Sequence, residues 1–407
     1  MTKDAKLLLT VAMLSVAGMS IATTFVNVFL IRATEGNIIL MILQNMTNFI
    51  TLLCAYVIGS KLLVKIPITT ILKLGVGFMS LYYIAILILQ ENVANFLIPL
   101  GVFSGAGSGL FWFSTNLLIG HIVKEDEQGR YFSYQQIAGF VLGIITPALS
   151  GFIIMQFTDL TGYYLLFCVA LIFFAIATLM VKRVSGFVVA KKIRVIEVLK
   201  LKNNRYWRAC KFFNFTVGLR MAIDGQILMV FAFLIFANEQ VMGNFTSINA
   251  LISVASALWF AKILTREKQG FFYLIIAILM MLANIVLALF PHRIILIGVW
   301  IIFAIVRNWS DTIFRSMTFQ LCSRAKDGFK QNEYLVALEF PMALGRIIGL
   351  SVALVLTFLM YSDIIAYRIL FAIIGCVWII EYIIIETQVK WLKAESKNNG
   401  VETLEVI

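Results

Sequence analysis

Charged residues are scarce in this chain. They make up 13% of its 407 positions, while 61% are hydrophobic, against about 25% charged in an ordinary soluble domain. So much apolar surface cannot be hidden inside a water-soluble core, and the surplus must face lipid. Histidine occurs only as His121 and His292, far apart in the chain, which excludes a His-rich metal set. The five cysteines (Cys54, Cys168, Cys210, Cys322 and Cys376) show no paired spacing and read as small packing residues. Neither a P-loop nor a nucleophile elbow occurs. The "GAGSG" stretch within 101–116 lies in an apolar helix with no strand before it. No enzymatic activity, cofactor or bound metal is therefore expected.

Long apolar runs fill the remainder. Twelve are long enough to cross a hydrocarbon layer of about 30 Å as helices. They cover 7–31, 38–60, 68–89, 96–123, 131–155 and 163–181, then 212–236, 245–264, 271–290, 294–321, 334–360 and 364–385. The first run follows Lys3 and Lys6 like a secretion signal, but its length of about 25 residues exceeds the usual apolar core of roughly 7–15 and predicts a retained helix. The expected fold is an all-α membrane protein. It has an N-terminal six-helix bundle over 1–181, a basic linker over 182–211, a second six-helix bundle over 212–390 and a tail over 391–407. No attached soluble domain is expected.

The basic residues set the orientation. Of 33 Lys and Arg, five fall inside spans (Lys73, Arg220, Arg307, Arg315, Arg346) and three on one side (Arg32, Arg293, Arg368). All others lie on the side of the two termini. That bias places both termini in the cytoplasm of a cell whose plasma membrane the chain crosses. The net charge of +12 is thus a topology signal. Spread over several short segments, it does not form the single basic face that a nucleic-acid partner needs. Within the linker, Ile193, Ile196 and Leu199 recur at helical spacing beside Lys191, Lys192, Arg194, Lys200 and Lys202. This pattern predicts a basic amphipathic helix on the anionic leaflet.

The two halves echo one another. Gly139 and Gly143 in "AGFVLG" return as Gly345 and Gly349 in "LGRIIG", as parallel six-span repeats would. Six plus six spans around a basic linker resemble the major facilitator superfamily. "KEDEQGRYFSYQQ" (124–136) is similar to the loop that often joins spans four and five there, and "GFVLGIITPALSG" (139–151) to a degenerate form of the Gly/Pro motif of family exporters. Two features depart from the pattern. "GSKLLVKIP" (59–67) carries no acid where the family has one, and Gly101 stands about where proton-coupled members carry an arginine.

Charges inside apolar spans carry the functional expectation. In "VRNWSDTIFRS" (306–316), Arg307, Asp311 and Arg315 are four residues apart on one helix side. An ionised side chain at the bilayer centre costs about 2.5–3.5 kcal/mol on insertion scales, so the stripe must face the bundle interior or a wet cavity. Arg220 and Asp224 share span seven, and Glu339 and Arg346 share span eleven. The resemblance implies that spans one, four, seven and ten line a central path, which would gather Arg220, Asp224, Arg307, Asp311 and Arg315 with span eleven alongside.

A carboxylate binds its proton more tightly in a dry cavity and less tightly beside arginine. Asp224, Asp311 and Glu339 are thus candidates for proton coupling. Arginine holds carboxylate or phosphate through two hydrogen bonds, so Arg220, Arg307 and Arg346 are candidates for substrate, with Asn27 and Asn116 as polar partners. Gln44, Asn45 and Asn48 supply further amides. Arg315, nearer the termini side, is a gating candidate. The same pairs also suit structural ion bridges. Lys73 can snorkel, and Glu381 and Glu386 read as interfacial. Gly101, Gly105 and Gly109 share one face and predict close helix packing. Four arginines against three acids tilt the cluster toward anionic or zwitterionic cargo. The chain is expected to act as a monomeric secondary transporter moving a small molecule by alternating access, driven by protons, with export favoured. Uptake of an anionic solute and a non-transporting membrane sensor are the alternatives.

Overall fold

The computed structural model describes residues 1–123, 125–157, 159–188, 194–201, 204–236, 238–265, 268–324, 331–360 and 363–398. Among them there is no strand, and twelve helices are long and apolar enough to cross a membrane. The first bundle holds α1 (Lys3–Ala33), α2 (Ile38–Leu62), α3 (Ile68–Leu89), α4 (Leu97–Ile122), α5 (Glu125–Met155) and α6 (Thr161–Val181). A short α7 (Val195–Lys200) precedes the second bundle. There the seventh crossing is α8 (Arg205–Ala222), a wide π-turn (Ile223–Ile227) and α9 (Leu228–Phe236). α10 (Glu239–Ile263), α11 (Gln269–Leu289) and α12 (Arg293–Arg324) follow. α13 (Gln331–Ala337) and α14 (Glu339–Leu359) share the eleventh crossing, and α15 (Asp363–Asn398) is the twelfth.

Polar side chains mark where several of these helices begin. Thr2, Asn37, Asn204 and Asn238 each accept a hydrogen bond from a backbone N–H in the first turn, which satisfies donors the helix cannot. The break between α13 and α14 has an equally local cause. Pro341 offers no N–H to the carbonyl of Ala337, and its ring crowds that carbonyl. Leu338 accordingly falls in a turn.

Helix approach is set by glycine. A Cβ on Gly101 would lie 2.7 Å from the Gln44 carbonyl, and one on Gly109 2.6 Å from the Leu52 carbonyl. At Gly105 it would overlap the backbone carbonyl of Asn48 and sit 2.9 Å from Thr51 Cβ. The glycine face therefore seats α4 on α2, backbone against backbone, as in other small-residue membrane contacts. Replacement of Gly105 by Val must push the helices apart, because a carbonyl cannot rotate away as a side chain can. We expect Gly105→Val to destabilise by at least the 1–3 kcal/mol or so typical of overpacking. A lowered melting temperature of the detergent-purified protein, read by size-exclusion chromatography, checks this.

The bundles meet where α5 crosses α10, where α2 lies along α14 and where α1 touches α9. Along α5 the gap to α10 widens toward the termini. A Cβ on Gly151 would be 2.7 Å from the Glu239 carbonyl, one on Gly143 would be 3.7 Å from Ala250 Cβ, and one on Gly139 would meet nothing within 4 Å.

Two expectations change. The seventh crossing begins at Arg205, not near 212, because Arg205, Arg208 and Lys211 are tolerated on its first turns. Within the linker, α7 buries Val195 and Val198 and packs on α13. Its carbonyls are held by the chain itself. The Trp207 indole donates to Val198 O at 2.8 Å, and Lys211 Nζ donates to Leu199 O at 3.1 Å and Leu201 O at 3.2 Å. Arg194 pairs with Glu333 at 3.3 Å. The predicted leaflet helix is thus a protein-bound segment; Ile196 alone of its apolar positions is mostly exposed. Lys191, Lys192, Ile193 and Lys202 lie outside the described residues, as does 399–407 of the predicted tail.

Candidate functional site

A cavity of about 660 Å³ sits between the bundles, within the 300–1,000 Å³ or so usual for small-molecule sites. Its walls are chemically unequal. The first bundle supplies amides and hydroxyls, among them Asn27, Gln44, Asn45, Asn48, Ser104 and Ser108. The second supplies the charges, Asp224 from the π-turn and Arg307 from α12, with Asn249 and Ser253 of α10 between them. Aromatic rings of Phe49, Tyr82, Tyr83, Trp300 and Phe303 close the remainder.

The amide wall is held in place by its own hydrogen bonds. Asn45 Nδ2 donates to Asn27 Oδ1 at 3.1 Å and to Met41 O at 3.0 Å. Asn48 Nδ2 donates to Ser104 Oγ at 2.6 Å. On the other side, Asn308 Nδ2 donates to Ser253 Oγ at 2.8 Å, and Ser256 Oγ donates to Ile305 O at 2.7 Å, fixing α12 against α10.

Behind the charged wall lies a buried ionic network. The Arg220 side chain is 3% exposed; its Nε donates to Glu381 Oε1 at 3.2 Å, and Nη2 reaches Ser310 Oγ at 3.5 Å. Tyr273 OH donates to Glu381 Oε2 at 2.6 Å, and the guanidinium lies 3.9 Å from the centre of the Trp378 ring. Arg220 thus ties four elements of the second bundle together. Asp224 stands at the front of this network. Its side chain is 5% exposed, the nearest cation is Arg220 Nη1 at 3.6 Å, and neither carboxylate oxygen receives a hydrogen bond. The π-turn divides the two roles. Before it the helix directs Arg220 into the bundle core, and within it Asp224 and Gly225 reach the cavity. Such one-turn widenings recur at functional sites.

The sequence candidates therefore separate. Asn27, Asp224 and Arg307 line the cavity. Arg220 lies behind it, and Asp311 stands close enough for its charge to act on Arg220 and Glu381 without an ion pair of its own among the described residues. Arg315 is exposed one turn further toward the termini side. Glu339 and Arg346 do not join this group. They pair with each other at 2.7 Å, with the Arg346 guanidinium 5.3 Å from the Phe49 ring centre across the bundle boundary. Asn116 is exposed and is not part of the cavity wall. Glu381, read from sequence as interfacial, is 0% exposed. Arg220 takes Glu381 as its nearer carboxylate, and Arg307 forms no pair with Asp311.

At the side away from the termini, a second polar cluster joins the bundles. Arg32 Nη2 meets Glu239 Oε1 at 2.5 Å, and Tyr163 OH donates to the same oxygen at 2.9 Å. The Phe233 ring lies 5.5 Å from the guanidinium. Neither Arg32 nor Glu239 was singled out for this from sequence. Each stands at a helix end where a solvated charge is ordinary, so nothing local betrays the pairing. Among the described residues no three His, Cys, Asp or Glu side chains converge as metal ligands.

Two bundles around a polar cavity, pressed together at one end, have the architecture of an alternating-access carrier. Residues 7–350 match the family model described as Major Facilitator Superfamily, and the chain belongs to that family. A relative from Bacillus subtilis (strain 168), "Uncharacterized protein YqgE", is 27% identical over 98% of this chain and 92% of its own length. In three dimensions the chain is similar to a bacterial homologue of the iron transporter ferroportin in an inward-facing state. The TM-score is 0.73 at 13% identity, covering 95% of this chain and 98% of that one. It is also similar to a structure of a proton-dependent oligopeptide transporter (TM-score 0.72, 12% identity, 97% and 100% covered) and to the nucleoside transporter NupG (0.71, 11%, 95% and 100%). The chain is a multi-pass membrane transporter of a small-molecule substrate.

Proposed function

We propose that this transporter exports its substrate across the plasma membrane in exchange for protons, working as a monomer with both termini in the cytoplasm. The observation that carries the reading is Asp224: a dry carboxylate on the cavity wall that receives no hydrogen bond, ion-paired with Arg220 at 3.6 Å and near enough to Arg307 for its charge to act. A carboxylate so placed changes its hold on a proton whenever the water around it changes. Rocking of one bundle against the other opens and closes the cavity that Asp224 lines, while Arg220 and Arg307, in the same bundle as Asp224, keep their places beside it. Glu381, Asp311 and Tyr273 set the surrounding field. The orientation is supported by the excess of basic residues on the termini side, and export by the likeness of 139–151 to the exporter motif.

Proteoliposomes with an imposed pH gradient and a trapped pH dye test this. Compounds from a metabolite library that discharge the gradient through the wild-type protein should fail to do so through Asp224→Asn, with the variant's size-exclusion profile unchanged. Equal discharge by both proteins removes Asp224 from the coupling step. The sign of the dye response separates exchange from symport, since a symporter carries protons in the direction of its cargo.

A further inference from the structure

We infer that the cavity takes a small zwitterion of the amino-acid type, its ammonium on Asp224 and its carboxylate on Arg307. Two observations meet here. Arg307 is exposed on the cavity wall, and among the described residues it makes neither an ion pair nor a hydrogen bond. Asp224 lines the same space with 95% of its side chain hidden from water; a long ion pair with Arg220 at 3.6 Å holds it from behind, and neither oxygen receives a hydrogen bond. A buried acceptor left without a donor is costly, so a ligand N–H group delivered there is rewarded. The guanidinium fork beside it matches a carboxylate in two hydrogen bonds.

A singly charged ligand satisfies only half of this wall. A bare cation meets Asp224 but is repelled by Arg307, and a bare anion does the reverse. A zwitterion satisfies both and leaves the cavity's charge unchanged. Both wall groups line the same cavity of about 660 Å³. One small ligand that carries both charges, as an amino acid does, can therefore meet them together. The remaining surface suits the body of such a molecule. Tyr82, Trp300 and Phe303 offer an apolar wall, while the prearranged amides of Asn45 and Asn48 stand across from the charges.

The binding step needs no proton gradient. Its link to exchange rests on the proposed function, in which the incoming ammonium and a proton compete for the same carboxylate.

Isothermal titration of the full-length, detergent-purified protein with three ligands of one shape tests this: L-tryptophan, tryptamine (no carboxylate) and indole-3-propionate (no ammonium). Tryptophan is expected to bind, and each analogue to bind about tenfold or more weakly, a difference near 1.4 kcal/mol. In Asp224→Asn, tryptophan should fall to the level of indole-3-propionate; in Arg307→Gln, to that of tryptamine. An analogue that equals tryptophan on the wild-type protein overturns the zwitterion, as does no binding of tryptophan at about 10 mM. The wild-type series decides even if a variant fails to fold. Gradient-independent flux with intact tryptophan binding would reject the proton-exchange reading alone. Proton exchange without zwitterion binding would reject this inference alone.

Discussion

Arg220→Met is expected to destabilise the second bundle by about 3–5 kcal/mol, the usual result of stripping one partner from a buried ion pair. The side chain is 3% exposed and Glu381 is 0% exposed, so the orphaned carboxylate has no water to turn to. Tyr273 still donates to Glu381 Oε2, which offsets part of the loss. The double variant Arg220→Met/Glu381→Gln removes both charges and should recover much of it, because a neutral pair of similar volume needs no compensation. Melting temperatures of the two single variants and the double variant, taken as a cycle, measure the coupling. Additive losses would show that the pair contributes nothing as a pair. Glu381→Gln alone has a second consequence. Arg220 then keeps Asp224 as its nearest acid, now 3.6 Å away, and closing that gap would withdraw the carboxylate from the cavity. Substrate-evoked proton flux should therefore fall in Glu381→Gln even where the protein remains folded.

What the sequence revealed and what it hid both follow from helix geometry. Twelve crossings and their pairing into halves were legible, because apolar length is a property of each segment alone. The need for inward-facing charges was legible for the same reason. Their convergence was not. Arg307, Asp311 and Arg315 are four residues apart, but each four-residue step turns the side chain by about 40° on a helix of 3.6 residues per turn. The apparent stripe thus drifts from the cavity wall at Arg307 to a second row at Asp311 and to an exposed site at Arg315.

Glu381 escaped because hydropathy ended the twelfth span at 385, whereas α15 continues to Asn398 and places this residue near the middle of a helix of 36 residues. Its three-residue spacing from Trp378 was the available signal, since both turn toward Arg220. The correction changes the electrostatics. With Arg346 and Glu339 paired elsewhere, Arg315 exposed and Glu381 added, Arg220 and Arg307 face Asp224, Asp311 and Glu381. That set carries one negative charge when fully ionised. The tilt toward anionic or zwitterionic cargo read from sequence loses its anionic half, and one bound proton balances the set, which a zwitterion leaves unchanged.

Arg32→Gln is expected to open the side away from the termini, and more strongly than Glu239→Gln. The two partners of this contact are unequal: the Arg32 side chain is 41% exposed, whereas that of Glu239 is 2% exposed. Removing the glutamate leaves an arginine that water already solvates, at little cost. Removing the arginine strands a buried carboxylate with only Tyr163 as donor, and that carboxylate regains water if the bundles separate. Because the contact is partly exposed, its contribution is discounted to about 1 kcal/mol, which still shifts a two-state population by a factor of about 5. Spin labels at Phe157 and His292, on opposite bundles at this side, report the change as a longer distance component in pulsed dipolar spectroscopy. The ordering Arg32→Gln above Glu239→Gln above wild type is the specific expectation. Distances unchanged in both variants would mean that the contact only decorates the surface and that the glycine-lined crossing of α5 and α10 holds this end shut. The reverse order would mean that the stranded carboxylate does not drive the opening.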